Sequence, residues 1–179
     1  MPNYVHCTMR SMNKETHELF KAMEMTGTEY EEFNQLPDDV ISLNKIVKLP
    51  AELRNTTSPN RSSEAEKQAL IDKYGAADWY DWSIQNWGVK WDVSEVHLDR
   101  DSDLKVTDIN WDNPWDIPDQ AILTLSKQYK DHIILVRFCC EFDEYKGTRV
   151  YQNGKELYKS NYQFDEEKDI WLAIEEEVA

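Results

Sequence analysis

The chain has 179 residues, of which 40% are hydrophobic and 31% charged, and a formal net charge of −15. That is enough apolar material for one domain around one core, and it argues against a disordered chain. No apolar run approaches the ~20 residues of a membrane span, and no basic stripe of the kind that grips nucleic acid is present.

The opening MPNYVHCTMRSMN lacks the basic start and apolar stretch of a signal peptide, so the expected location is the cytosol. Residues 4–10 alternate, with Val5, Cys7 and Met9 on one side, and predict a strand with one buried face. Asn13 suits the N-cap of a helix over 13–25 whose apolar stripe is Leu19, Phe20 and Met23. An acidic loop follows, then ISLNKIVKLP, which predicts a short strand ended by Pro50. After the loop at 54–63, Ser63 and Glu66 form a capping box, and Gly75 suits the end of that helix. A second helix over about 76–87 is apolar on most sides and is expected between layers, with Gly88 at its left-handed end. Trp79, Trp82 and Trp87 are expected to fasten it to the sheet.

Strands follow at 93–98 and 104–111, joined by the polar turn Asp99–Asp103, with Ile109 and Trp111 on one face. Residues 118–130 predict a helix facing inward with Ala121, Ile122, Leu125 and Tyr129. HIILVRFCCEF, 132–142, is the strongest strand, and its near-continuous apolar character predicts two covered faces. RVYQ-Asn153-Gly154-KELY predicts a hairpin with a type I′ turn. Asp165 is placed to cap a last helix facing inward with Ile170, Trp171, Ile174 and Val178.

With 28–92 set aside, the order is β-α-β-β-α-β. The expected architecture is therefore one α+β domain over residues 1–179 with a ferredoxin-like antiparallel sheet. The 149–160 hairpin extends that sheet, and 28–92 is a largely helical insertion after the first helix. Hairpin pairing would also cover the fourth strand, which is otherwise an apolar edge.

The charge is clustered. Residues 28–39 carry five acids and no Lys or Arg, 99–119 carry seven aspartates against Arg100 and Lys105, and 164–179 carry seven acids against Lys168. Such faces repel nucleic acid and attract basic proteins. Catalytic and metal patterns are missing. Asp99-Arg-Asp101-Ser-Asp103 starts like a calcium loop, but Leu104 and Asn110 stand where Gly and an acid are required. His6, His17, His97 and His132 are scattered and read as surface residues. Cys7, Cys139 and Cys140 read as free thiols, and a pairing of Cys7 with His6 or His97 has no local support. Lys146-Gly147-Thr148-Arg149-Val150-Tyr151 echoes an RNA-binding motif without its stacking aromatic.

Several blocks coincide in order and spacing: Met1-Pro2-Asn3-Tyr4, Leu43-Asn44-Lys45-Ile46-Val47-Lys48-Leu49-Pro50, Asn86-Trp87-Gly88-Val89-Lys90-Trp91-Asp92, Trp111-Asp112-Asn113-Pro114-Trp115, and Tyr145-Lys146-Gly147. Together they resemble the YubB/Api-like family of phage and plasmid proteins. The chain departs from the family pattern at Lys48, where Pro is more usual. The resemblance implies a ferredoxin-like domain and a mobile-element setting. It implies no chemistry.

The function expected is that of a non-enzymatic acidic binding protein of a phage or mobile element, acting in the host cytosol. It would inhibit a basic nucleic-acid-handling or defence protein, in the manner of an anti-CRISPR or anti-restriction protein with a DNA-like acidic face. The candidate partner-binding residues are Asp99, Asp101, Asp103, Asp112, Trp115 and Asp116. Trp115 lies between prolines and acids and is the candidate anchor. No catalytic residue, metal ligand or cofactor is assigned, and direct nucleic-acid or membrane contact is not expected. The alternative is an enzyme for a small ligand or nucleic acid, using carboxylates in a cleft between insertion and sheet.

Overall fold

The structure, a computed structural model, describes residues 3–33, 40–140, 145–165, 167–168 and 170–174. Its centre is strand β1 (Tyr4–Ser11), whose alternation buries Val5, Cys7 and Met9. Helix α1 (Thr16–Met23) packs Leu19, Phe20 and Met23 onto that core. It begins after the predicted cap. Asn13 is drawn instead to the far side of the turn, where its amide donates to the Asp131 carbonyl (2.9 Å) and its side-chain oxygen accepts from the Ile133 amide (2.8 Å). Two tertiary bonds outcompete one local cap.

Between α1 and the next strand come α2 (Glu29–Phe33), a 3-10 turn at Leu43–Lys45, α3 (Ala51–Arg54), α4 (Glu64–Tyr74) and α5 (Trp79–Trp87). The predicted strand at 41–50 is therefore a correction. Ile41 makes only a single bridge to Glu24, and the Ser42 hydroxyl then accepts from the Asn44 amide and starts a helical turn. Pro50 opens α3 rather than closing a strand. The capping box of Ser63 and Glu66 is formed, and Gly75 and Gly88 take the left-handed φ expected of them. Asp78 caps α5 by accepting from the amides of Tyr80 and Asp81. α5 is not sealed between layers: Trp82 and Trp87 are buried, but Tyr80 and Ile84 face solvent.

Strands β2 (Ser94–Arg100) and β3 (Val106–Pro114) form a hairpin, α6 (Asp119–Gln128) crosses over, and β4 (Ile134–Cys140), β5 (Tyr145–Gln152), β6 (Lys155–Asp165) and β7 (Ile170–Ala173) follow. All seven strands form one antiparallel sheet in the order β2-β3-β1-β4-β5-β6-β7. The register stacks the core rows. Cys7 lies between Trp111 and Phe138, and Met9 between Ile109 and Val136. These residues join those of α1 and α6 in one buried cluster. The other sheet face stays open, carrying His6, Asn110 and Arg137, so β4 is covered fully on one face only. The β5–β6 turn is the predicted one, with Asn153 and Gly154 both at positive φ.

The predicted last helix is a strand, and the sheet is larger than expected. β7 pairs with the outer edge of β6, from Tyr162 opposite Ala173 to Asp165 opposite Ile170. The unpaired ladder of β6 offers Ile170-Trp171-Leu172 hydrogen bonds that an isolated short helix lacks. Asp165 ends β6, and its carboxylate accepts from the Lys168 amide at 3.1 Å. The predicted inward residue Val178 lies outside the described residues. Among the described residues no helix is long and apolar enough to cross a membrane.

Candidate functional site

Alternation along β2 and β3 decides where the predicted partner-binding residues point. Asp99 and Asp112 lie on the open sheet face. Asp99 sits directly opposite Asp108, which alternation places on the same face and which sequence reasoning passed over. The Asp99 carboxylate accepts from the Asn110 amide (3.0 Å) and lies 3.7 Å from His97 Nε2. Asp112 is paired with His6 Nδ1 at 2.5 Å. Asp101 shapes the hairpin tip, where its Oδ1 accepts from the amides of Asp103 (2.9 Å) and Lys105 (3.0 Å). Asp103 is exposed beside it. The two bases of the hairpin are turned away: Arg100 donates to the Leu104 carbonyl and lies over the Phe20 ring, and Lys105 pairs with Glu15.

Trp115 and Asp116 follow the far end of β3, roughly 25–30 Å from the tip at the rise of an extended strand. The six residues therefore occupy two ends of one hairpin rather than one patch. Asp116 accepts from the Ile117 amide at 2.8 Å and shapes the entry to α6. Trp115 has φ +68 and a backbone held at both sides, its amide donating to Asn3 and its carbonyl accepting from the Tyr145 hydroxyl. Its ring is 48% exposed and tilts against Trp91, centroids 5.6 Å apart. The Lys90 ammonium lies 4.2 Å from the Trp91 ring and 5.5 Å from that of Trp115. Trp91 is itself 42% exposed.

Two of the blocks that carry the family resemblance, 43–50 and 86–92, meet in space. Asp92 accepts from the Leu43 amide (2.7 Å), the Ser42 hydroxyl (2.5 Å), the Asn44 side-chain amide (3.0 Å) and its neighbour's amide, Val93 (2.9 Å). The Trp87 indole donates to the Val47 carbonyl at 2.8 Å and packs edge-on against Trp82. Asn44 accepts from the Leu49 amide. Gly88 lies so close to the start of α6 that a side chain would press on the Asp119 and Gln120 amides. The Asn86–Asp92 block is thus a staple joining the 3-10 turn, α5 and the sheet.

Beside the staple lies a cleft of about 430 Å³, lined by Trp79, Trp87, Trp91, Phe33, Arg54 and Lys90 among others. Among the described residues the one carboxylate on its wall, Asp92, has both oxygens occupied by the four donors above. The converging carboxylates expected of the enzymatic alternative are not found among the described residues lining it.

The remaining candidate groups are structural. The Cys7 thiol points into the core, opposite to His6. Burial pushes its pKa well up, and Asp112, Asp116 and Asp119 add to the rise, so it is a poor nucleophile. Cys140 is buried and Cys139 half-buried, and all three are free. His132 is no surface residue: at 4% exposure it bridges the Ser11 hydroxyl (3.1 Å) and the Glu18 carboxylate (2.9 Å). Nothing in a lone histidine's sequence neighbourhood reveals partners more than a hundred residues away.

No family model matches the chain, and no curated protein matches it. A crystal structure of the protein api92 from Yersinia pseudotuberculosis, assigned to DUF1281, aligns with a TM-score of 0.46 and 14% identity. The alignment covers 65% of this chain and 38% of that one, so the chain spans well under half of that protein's length.

Proposed function

We propose that the protein is a non-catalytic binding module that docks a basic surface of a host nucleic-acid-handling or defence protein through the acid-bearing β2–β3 end of its sheet. One observation carries the reading: Asp99 stands directly opposite Asp108, on an open face that continues to Asp112, with Asp101 and Asp103 at the tip. Like charges opposed across a ladder destabilise it, by roughly 0.2–1 kcal/mol per pair. Among the described residues neither Arg100 nor Lys105 forms an ion pair with Asp99 or Asp108. A docked cationic surface relieves the repulsion, and oriented charge speeds encounter with such a surface. Trp115 supplies the aromatic anchor at the hairpin's other end.

The finer reading of the fold is ferredoxin-like over β1–β4. The strand order β2-β3-β1-β4 and the crossover helices α1 and α6 support it. Membership of the YubB/Api-like family, with a phage or plasmid origin and action in the host cytosol, rests on the sequence blocks.

The test is affinity purification from bacterial host lysate with the wild-type chain and with an Asp99→Lys, Asp101→Lys, Asp103→Lys, Asp112→Lys variant. The expected result is enrichment of basic nucleic-acid-binding proteins by the wild type, loss of them with the variant, and competition by added duplex DNA. Equal recovery by both chains, or recovery of no basic protein, removes the basis for the proposal.

A further inference from the structure

We infer that the cleft between α5 and the Tyr4–Pro114 end of the sheet binds a planar heteroaromatic molecule bearing an anionic group, of mononucleotide size. The cleft lies at the end of the β2–β3 hairpin away from its acidic tip, and neither reading depends on the other.

The walls state the chemistry. Phe33, Trp79 and Trp91 present partly exposed rings to the space, the kind of surface on which flat rings stack. Two cations line it. The Arg54 guanidinium donates to the backbone carbonyls of Glu32 and Leu49, and Lys90 lies over the rings of Tyr80, Trp91 and Trp115. Among the described residues neither is in an ion pair, although the chain holds 35 acids against 20 bases. The Asp92 carboxylate offsets one of these charges, but its oxygens are held by donors from the 3-10 turn and form no ion pair with either cation. Among the described residues the lining thus carries two cations against one carboxylate, a local excess of positive charge on an otherwise acidic molecule.

A second, independent observation points the same way. Ser83 borders the cleft, is fully buried, and its hydroxyl has no hydrogen-bond partner among the described residues. Buried polar atoms nearly always have one, and an orphan beside a cavity marks a place for a ligand or water to complete. At 430 Å³ the space is within the range of about 300–1,000 Å³ typical of small-molecule sites.

The experiment titrates the full chain with adenosine 5′-monophosphate, adenosine and inorganic phosphate, following tryptophan fluorescence and calorimetry. The monophosphate is expected to bind saturably and to quench. Adenosine binds about tenfold more weakly for want of the charge-assisted contact, and phosphate alone gives no quenching. Lys90→Glu weakens the monophosphate by about tenfold or more and leaves adenosine within about twofold. Ser83→Ala weakens both while the unfolding midpoint does not fall. Absence of saturable monophosphate binding at millimolar concentration overturns the inference. So does equal affinity for adenosine, or indifference to both substitutions in chains that remain folded. Charge reversal at Asp99, Asp101, Asp103 and Asp112 is expected to leave this binding intact, so the two sites fail or stand separately.

Discussion

Replacing Asp92 with Ala should be among the most damaging single changes in the chain. The carboxylate collects four hydrogen bonds, at 2.5–3.0 Å, from Ser42, Leu43, Asn44 and Val93. All four donor residues are buried. Truncation leaves those donors facing a hole. An unpaired buried donor costs about 1–3 kcal/mol. Water entering from the neighbouring cleft recovers part of that cost, so the expected loss is about 4 kcal/mol against a typical total stability of about 5–15 kcal/mol. Asp92→Asn separates charge from geometry. Its oxygen still accepts from the Leu43 and Val93 amides, and the Ser42 hydroxyl can turn to accept. The Asn44 amide loses its partner, and the expected loss is about 2 kcal/mol. Urea denaturation by tryptophan fluorescence gives both values. Hydrogen exchange at the Leu43 and Val93 amides should accelerate in the Ala variant, while β1 amides accelerate only by as much as the loss of global stability requires. An Ala variant within about 1 kcal/mol of wild type would refute the staple, because four buried donors cannot all lose a charged acceptor at so small a cost.

Other outcomes follow from the same structure. Gly147→Ala should destabilise by about 2–3 kcal/mol in the same denaturation assay, since a methyl group there collides with the Phe138 ring and the Ser160 carbonyl. Ser83→Ala in the ligand-free protein should be neutral or stabilising by up to about 1 kcal/mol, because it removes an unpaired buried hydroxyl. Thiol titration of the native protein should show Cys139 reacting first, with Cys7 and Cys140 reacting only as the chain unfolds, as their burial requires. Burial raises the Asp119 pKa, opposed by the hydrogen bond from the Tyr151 hydroxyl. The folded state then holds this proton more tightly than the unfolded one, so the group's contribution to stability falls as pH rises from its unfolded pKa through its folded pKa. Asp119→Asn keeps an acceptor for Tyr151 and should flatten that part of the stability–pH curve. A variant curve parallel to wild type would count against burial as the cause.

Much of the order was legible because local patterns carry it. Period-two alternation marks Val5, Cys7 and Met9, as well as Ile109 and Trp111, and Asn153-Gly154 determines its turn through the positive φ that both residues tolerate. The Ser63–Glu66 box and Gly75 mark both ends of α4. What local pattern could not supply were choices made across the chain. Ile170, Trp171 and Ile174 suit a helix by spacing, but the open ladder of β6 draws Ile170 and Trp171 into β7. Asn13 leaves its cap for Asp131 and Ile133, and His132 finds Ser11 and Glu18.

For the working surfaces the division is the same. Composition alone clusters acid between 99 and 116, and spacing alone puts Trp115 between breakers. Only strand register sets Asp99 against Asp108, and only the length of β3 parts the tip from Trp115. Likewise, the block Asn86–Asp92 is conspicuous as sequence. Its partner block at 43–50, and the cleft they flank, exist only once the chain has folded back to satisfy the buried donors around Asp92.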